Sequence, residues 1–301
     1  MSIPIVSNPS YSFGFPDSHR FPMEKFGLLE NICREQNWLT GTNYFRPGRA
    51  KMALLELAHC SDYLARFTSN QQTKQELRRM GLPWSEGLLK RSLIAPNGTF
   101  LTAQLALKHG IACHLAGGTH HAHYNFASGF CILNDLAVTA KALLAQKKVK
   151  KILIFDCDVH QGDGTASILA DEPRAFTCSI HCEKNFPVRK AHSDLDIGLP
   201  ITVSEQDYLE TVASTLQTLI INQQPELVIY DAGVDVFAGD PLGLLSISEA
   251  SIKAREKIVL SLCKQAHIPV ATVIGGGYDD NRLALAKRHA FIIEAAHSIF
   301  C

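Results

Sequence analysis

Four short apolar runs, separated by longer helical patterns, constrain the fold of this chain more than any other feature of its sequence. The runs are residues 151–157 (KILIFDC), 175–180 (AFTCSI), 226–230 (ELVIY) and 268–274 (IPVATVI). They are rich in Ile and Val and contain few polar residues, which is typical of strands buried on both faces of a parallel sheet. The alternation of strands with helices therefore predicts an α/β fold in which helices flank one parallel sheet.

Helical patterns occupy the segments around these strands. We predict helices over residues 132–146, 205–223, 248–266 and 281–300. Ser246, with Glu249 three residues later, fits a capping box at the start of the third of these helices. The first hundred residues are predicted to be mainly helical, with 49–67 as the clearest helix. Because no repeat or Pro/Ser linker divides the chain, residues 1–301 are predicted to form one domain.

Composition excludes several classes of protein. Hydrophobic residues make up 46% of the chain and charged residues 19%, which is the opposite of a disordered sequence. Lys and Arg together number 29, as do Asp and Glu, so direct binding to nucleic acid is not expected. The nine cysteines are scattered without a CxxC pair, which predicts reduced thiols and a cytoplasmic location. No signal peptide or membrane-spanning run is evident.

Polar residues with metal-binding chemistry follow the first predicted strand, in the stretch DCDVHQGDG (156–164). Side chains two residues apart share a face of an extended chain, so Asp156, Asp158 and His160 are predicted to point the same way. A divalent metal is the simplest compensation for burying such a group, and a hydrogen-bonded cluster without metal is the alternative. Asp235, beyond the strand at 226–230, offers a third ligand, whereas Asp240 is interpreted as part of an ordinary turn.

Two adjacent histidines stand in a stretch, residues 109–134, that contains no Asp, Glu, Lys or Arg. His120 and His121 can shuttle protons at neutral pH if neighbouring carboxylates orient them, and Asp156 and Asp163 are the candidates. A structural role for the pair is the alternative on spacing alone. His123 is interpreted as structural or exposed.

Tyr278 follows three glycines, Gly275–Gly277, at the end of the last predicted strand. Glycine permits a sharp turn and a close approach of the backbone, so the tyrosine hydroxyl could be presented as a fixed donor to an oxyanion. A core aromatic residue after a flexible turn is the alternative. A dinucleotide site is weakly supported, because the G-x-G-x-x-G spacing is absent.

Four motifs taken together, in their order along the chain, resemble the zinc-dependent histone deacetylase family. They are GGTHHAHYNFASGFCILND, ILIFDCDVHQGDGTA, DAGVDVFAGDPLG and GGGYDD. The resemblance is clearest over residues 95–285, and the N-terminal part is most similar to the bacterial and class IV-like branch. It implies the arginase/deacetylase fold, with the metal at the C-terminal edge of the sheet.

The resemblance also implies roles for individual residues. The residues that match the zinc ligands are Asp158, His160 and Asp235. The residues that match the histidine dyad and its carboxylate partners are His120 with Asp156 and His121 with Asp163, and Tyr278 matches the transition-state tyrosine. The residues that match a structural potassium site, through backbone or side chain, are Asp156, Asp158, His160, Ser179 and Ile180. The two carboxylates make the zinc site rather hard, so Fe²⁺ or Co²⁺ could substitute for zinc.

Further matches concern the substrate. The residues that match the tunnel for an acyl-lysine side chain are Gly129, Phe130, Phe186 and Gly276. Ordinary core packing is the alternative for the two phenylalanines. Arg49 falls where the family has an arginine lining an internal channel for released acid. Gly81 stands where several eukaryotic members have an aspartate that grips the substrate backbone, so this clamp is not expected.

The activity that the resemblance implies is hydrolysis of N-acyl amides by zinc-activated water, assisted by the dyad and the tyrosine. Acyl-lysine in proteins or peptides is the expected substrate class. Two alternatives stay open at this point: an amidohydrolase for acetylpolyamines or other small acylated amines, and a non-catalytic module that binds acyl-lysine. The sequence leaves acyl-chain length, physiological substrate, cellular metal and oligomeric state undetermined.

Overall fold

An eight-stranded parallel sheet runs through a computed structural model that describes residues 2–16 and 18–301. The strands are Ile5–Val6 (β1), Tyr44–Phe45 (β2), Ile111–His114 (β3), Ile152–Asp156 (β4), Ala175–Cys182 (β5), Leu195–Leu199 (β6), Leu227–Asp231 (β7) and Val270–Val273 (β8). Their order across the sheet is β2-β1-β3-β8-β7-β4-β5-β6. The predicted α/β architecture with one parallel sheet is therefore confirmed.

Helices cover both faces of this sheet and bury its strands. They are Lys25–Glu35 (α1), Met52–Leu55 (α2), Ser61–Thr68 (α3), Lys74–Met80 (α4), Glu86–His109 (α5), Asp135–Ala145 (α6), Asp163–Leu169 (α7), Glu205–Gln223 (α8), Glu249–Gln265 (α9), Arg282–His289 (α10) and Phe291–Phe300 (α11). Every residue of β4 and β7 is buried, which explains why their sequences are apolar up to the aspartate at the end of each. No helix in the described part of the chain is long and apolar enough to cross a membrane.

Three helix predictions need correction. The predicted helix at 49–67 is wrong: α2 ends at Leu55 and α3 begins at Ser61, because the Cys60 amide donates instead to the carbonyl of Tyr124. The capping box at Ser246 is also wrong. Ile247 is held in a β-bridge, and Ser248 caps α9 by accepting the amide of Ser251. The helix predicted at 281–300 divides into α10 and α11.

The register of the central strands determines where their polar residues meet. Asp156 at the end of β4 lies beside Asp231 at the end of β7 and beside Ser179 of β5. Since the strands are parallel, their carboxyl ends open onto one edge of the sheet, where ligands bind in open α/β folds. That residues 1–301 form one domain stays a prediction.

Candidate active site

Three side chains from two neighbouring strand ends form a buried cluster at the carboxyl edge of the sheet. Asp158 and His160 follow β4 and Asp235 follows β7, and one donor atom of each lies within 4.8 Å of the others. The Nδ1 atom of His160 is 3.1 Å from Asp158 Oδ1 and 3.1 Å from Asp235 Oδ2. The structure thus brings together the three residues predicted to bind a metal.

Backbone amides hold the two carboxylates of this cluster in place. The amide of Val159 donates to Asp235 Oδ1 over 2.9 Å, and that of Gly276 donates to Asp158 Oδ2 over 2.6 Å. A Cβ atom added to Gly276 would lie 2.2 Å from Asp235 Oδ2, so only glycine permits this approach. The glycine run after β8 therefore contributes to the cluster itself.

The electrostatics of the cluster favour a cation. Burial opposes a charged imidazole, but the carboxylates of Asp158 and Asp235 outweigh it and raise the pKa of His160 to about 10. Burial, together with the charge of Asp158, raises the pKa of Asp235. Two carboxylates that are 1% and 0% exposed require a nearby positive charge. One imidazole nitrogen and two carboxylates suit Zn²⁺, and also Fe²⁺ or Co²⁺, so the residues fit a divalent metal.

Two buried histidines after β3 face this cluster. His120 Nδ1 is 2.7 Å from Asp156 Oδ2, and His121 Nδ1 is 2.6 Å from Asp163 Oδ1. The Nε2 atoms of the two histidines are 3.2 Å apart. Each predicted pair of histidine and carboxylate is therefore within hydrogen-bond distance. His123 Nε2 is 3.0 Å from Asp163 Oδ2, so it adds a second imidazole to that carboxylate.

The electrostatic surroundings shift the pKa values of the two histidines in opposite directions. Burial lowers the pKa of His120, but the negative charges of Asp156 and Asp158 outweigh it and raise that pKa well above its usual value. Burial and the charge of His120 lower the pKa of His121 to about 4, despite its bond to Asp163. At neutral pH, His120 is therefore the charged member and His121 the neutral member that can accept a proton.

Asn134 and Asp135, for which the sequence predicts no role, shape the turn that carries the histidines. The Asp135 carboxylate accepts the amide of Gly118 over 3.1 Å and that of Thr119 over 2.7 Å. The Asn134 side chain donates to the carbonyl of Ala122 over 3.0 Å. Both residues belong to the ILND end of a recognised motif, which was the available signal.

Tyr278 borders the cavity that also contains His121 and His160. Burial and the charge of Asp235 raise the pKa of Tyr278 well above 10, so its hydroxyl stays protonated and can donate. Its backbone amide donates to Asp240 Oδ2 over 2.7 Å. Asp240 Oδ1 accepts two amides of its own turn, as predicted, but the residue also anchors the tyrosine.

An outer pocket of about 340 Å³ leads to the cluster between two phenylalanines. The ring of Phe186 meets that of His121 at 4.8 Å and 89°, and the ring of Phe130 is 5.9 Å from that of Tyr278. Phe186 is 41% exposed, which argues against ordinary core packing for this side chain. A Cβ atom added to Gly129 would lie 2.7 Å from His121 Cδ2, so glycine at this position lets the backbone before Phe130 approach the His121 ring.

The internal cavity, of about 40 Å³, does not include the predicted arginine. Arg49 is exposed, because the segment before α2 lies at the surface. Two buried cations, Lys25 and Arg91, border the cavity instead. Burial lowers the pKa of Lys25 to about 8, and its Nζ donates to the carbonyls of Gly275 and Gly277 over 3.3 and 3.2 Å.

Gly81 lies at the end of α4, next to the Phe130 ring. Gly81 ends α4 in the left-handed conformation (φ 74°), and a Cβ atom added there would lie 3.0 Å from the Phe130 ring. A side chain at this position would therefore crowd the Phe130 ring.

Ser179 lies beside Asp156 across β4 and β5, and its Oγ is 2.9 Å from His181 Nδ1. The potassium site, which includes Ile180, stays a prediction.

Comparisons with solved structures find the same fold. A solved histone deacetylase homologue from Aquifex aeolicus superposes with a TM-score of 0.82 at 23% identity, covering 99% of this chain and 84% of that one. A histone deacetylase homologue solved in complex with SAHA also superposes with a TM-score of 0.82. It is 22% identical, and the match covers 98% of this chain and 84% of that one.

Sequence relatives extend over the whole chain. An uncharacterized protein of Picosynechococcus sp. is 47% identical over 300 residues, covering 100% of both chains. The acetoin utilization protein AcuC of Staphylococcus aureus (strain COL) is 28% identical over 312 residues, covering 96% of this chain and 80% of its own. The model of the histone deacetylase domain matches residues 19–293. The chain belongs to the histone deacetylase family.

Proposed function

We propose that this protein is a metal-dependent hydrolase of N-acyl amides that removes acyl groups from lysine side chains in proteins or peptides. The observation that carries the proposal is the placement of a neutral imidazole, His121, in one cavity with two of the three candidate metal ligands, Asp158 and His160, and a protonated tyrosine. Asp158, His160 and Asp235 would hold the metal, with zinc proposed first and Fe²⁺ or Co²⁺ as substitutes. A metal bound there supplies Lewis-acid polarisation of the amide carbonyl and a lowered pKa for water.

The protein's own side chains supply the proton transfers. Neutral His121 accepts a proton from water as its oxygen attacks the acyl carbon, and Asp163 stabilises the imidazolium that forms. The Tyr278 hydroxyl donates to the developing oxyanion. When the carbon–nitrogen bond breaks, His121 returns the proton to the leaving nitrogen, which yields a free amine and a carboxylic acid. The charge held on His120 keeps the proton of His121 available for this second step.

The shape of the entrance supports a slender, neutral substrate arm. Phe130 and Phe186 line the outer pocket, and the apolar surface that they present suits the methylene stem of an acylated lysine. A free lysine carries a charge that would be desolvated between the two rings at high cost. The proposed substrate is therefore the acylated form, and the charged amine is a product that leaves readily.

A panel of lysine peptides with acyl chains from acetyl to myristoyl, beside acetylated polyamines, tests the proposal. We expect release of the free lysine peptide, loss of activity after chelation, and its return on adding Zn²⁺. Asp158→Ala should lose the tightly bound equivalent of metal by elemental analysis, whereas exposed Asp171→Asn serves as the matched control. Turnover of polyamines alone would redirect the substrate assignment, and tight peptide binding without product would show a non-catalytic module.

A further inference from the structure

Asp231 is a buried carboxylate that the proposed mechanism does not use. It ends β7, is 0% exposed, and neither of its carboxylate oxygens has a hydrogen-bond partner in the described structure. An unpaired polar group in the interior is costly, and a carboxylate more so. Such a group calls for a compensating ligand or proton.

Its neighbours are metal-binding groups. Asp231 lies beside Asp156 across the parallel strands β7 and β4, so both side chains leave the sheet on the same side. One donor atom each from His120, Asp156 and Asp231 lies within 4.8 Å of the other two. These three residues are called the inner cluster below. All three are buried, so they form an enclosed group of ligands rather than a patch of surface acids.

Two glycines make room for the orphan carboxylate. A Cβ atom added to Gly118 would lie 2.7 Å from Asp231 Oδ2, and one added to Gly275 would lie 2.2 Å from Oδ1. Both glycines have positive φ angles, 81° and 60°, which bring the turns after β3 and β8 close to the carboxylate. The glycines at these two positions therefore leave the space beside the Asp231 oxygens free of side chains.

The two carboxylates of the first metal site are not the only buried acids at this edge of the sheet. Four buried carboxylates meet at this edge of the sheet: Asp156, Asp158, Asp231 and Asp235. A divalent ion on Asp158 and Asp235 compensates two of them, and Asp156 Oδ2 lies 2.7 Å from His120 Nδ1. Asp231 has no hydrogen-bond partner in the described structure.

We propose that the inner cluster of His120, Asp156 and Asp231 is a second divalent-cation site. One imidazole nitrogen and two carboxylates are the donor set of the first site, so Zn²⁺ and Co²⁺ are the expected ions. An ion there competes with the bond between His120 Nδ1 and Asp156 Oδ2, which is 2.7 Å long. If the proposed function holds, filling this site removes His120 from the dyad and inhibits the enzyme.

Metal stoichiometry tests this site without reference to activity. The full chain is dialysed against rising concentrations of ZnCl₂ or CoCl₂, and bound metal is measured by elemental analysis. We expect two equivalents for the wild type and one for Asp231→Asn, which keeps the shape of the side chain. Exposed Asp171→Asn should bind two equivalents and controls for the change of charge. Asp235→Asn should lose the tighter equivalent instead.

A second measurement keeps the proposal falsifiable if the Asp231→Asn protein does not fold. Anomalous scattering from cobalt in wild-type crystals should show a peak between His120 and Asp231, separate from the one at Asp158. One equivalent in the wild type at every concentration, or two in Asp231→Asn, overturns the site. In the first case a proton compensates Asp231, and in the second the weaker ion binds elsewhere. Failure of the proposed function would show instead as absent turnover with the first equivalent bound.

Discussion

The two halves of the histidine pair are neighbours in sequence but lie in opposite electrostatic surroundings. The inner half, His120 with Asp156, lies among the carboxylates at the strand ends, and its Nε2 is 3.8 Å from Asp158 Oδ1. The outer half, His121 with Asp163, faces the Phe186 ring and the cavity. The surplus of negative charge raises the pKa of His120, whereas burial and two neighbouring imidazoles lower that of His121.

This difference shows how one dipeptide can supply two chemical functions. A base must be neutral at the working pH, and only the outer histidine meets that condition. A fixed positive charge is useful where a proton must later be given back, and the inner histidine supplies it. Environments that push apart the pKa values of paired groups are the general sign of divided acid and base roles.

The largest expected effect separates the two halves directly. His121→Ala should lower kcat by about 10²–10⁴-fold, the contribution of a positioned acid–base group, whereas His120→Ala should lower it less. Single-turnover rates on an acetyl-lysine peptide measure both variants, with metal content as the control. A larger loss for His120→Ala would reverse the assignment of roles.

Tyr278→Phe tests whether the outer half acts with a separate oxyanion donor. The variant removes one hydroxyl and keeps the buried ring, so kcat should fall by about 10²–10³-fold, as for loss of one oxyanion-hole donor. Bound metal should be unchanged by elemental analysis. Near-normal kcat would remove the tyrosine from the reaction and leave His121 and the metal to act alone.

Asp240→Asn should displace the Tyr278 hydroxyl without removing it, which tests whether the position of this donor matters. The asparagine side chain has only one oxygen that accepts hydrogen bonds. It therefore cannot replace both carboxylate oxygens of Asp240, one of which accepts from Leu242 and the other from the Tyr278 amide, and the tyrosine should shift. Misplacement on the scale of 1 Å can cost up to about 10²-fold in rate, and we expect a loss below that of Tyr278→Phe. The loss should fall on kcat rather than KM. Equal changes in both constants would indicate general disruption of the pocket.

The smallest expected effect is in the pH profile. With its pKa at about 4, His121 stays neutral from pH 7 to pH 5, so kcat should change by less than about twofold over that range. Activity should decline only as the pH falls through about 4. An acid limb near pH 7 would mean that the base has a raised pKa, which contradicts the proposed division.

Stability must be followed in the same experiment, because another buried histidine responds to acid. His59 accepts the Asn134 amide over 2.8 Å, and burial lowers its pKa to about 4. Between the unfolded value near 6.5 and about 4, the unfolded chain binds more protons than the folded one. The free energy of unfolding should therefore fall as the pH falls, by up to about 1.4 kcal/mol per unit from this group. Denaturant titrations at pH 6.5 and 5.5 measure it.

The strand-end chemistry was predictable because it obeys local rules. Strands buried on both faces, such as β4 and β7, have a continuous apolar pattern, and alternation places Asp156, Asp158 and His160 on one side. The closeness of Asp158, His160 and Asp235, the two pairs of histidine and carboxylate, and the two phenylalanines at the outer pocket then followed from residue order and family resemblance. The exact match of α8 to the predicted 205–223 has the same origin, since its pattern is periodic over its full length.

What the sequence concealed depends on contacts between distant residues. Strands β1 and β2 have two residues each and contain no readable pattern. The break between α2 and α3 depends on Tyr124, and Asp240 meets the Tyr278 amide 38 positions away. Arg49 was assigned to the internal cavity, but Lys25 and Arg91 reach it because α1 and α5 are packed there. The orphan state of Asp231 is visible only once its neighbours are placed.

The position of β4 within the sheet has a consequence for how the molecule opens. β4 is bonded on both sides, to β7 and β5, whereas β2 and β6 are the edges of the described sheet. Exchange of backbone amides with solvent deuterium should therefore begin at those edges and reach the inner strands, residues 152–156 among them, later. The candidate site lies at the ends of inner strands, so fraying that is confined to the edge strands should leave its geometry intact.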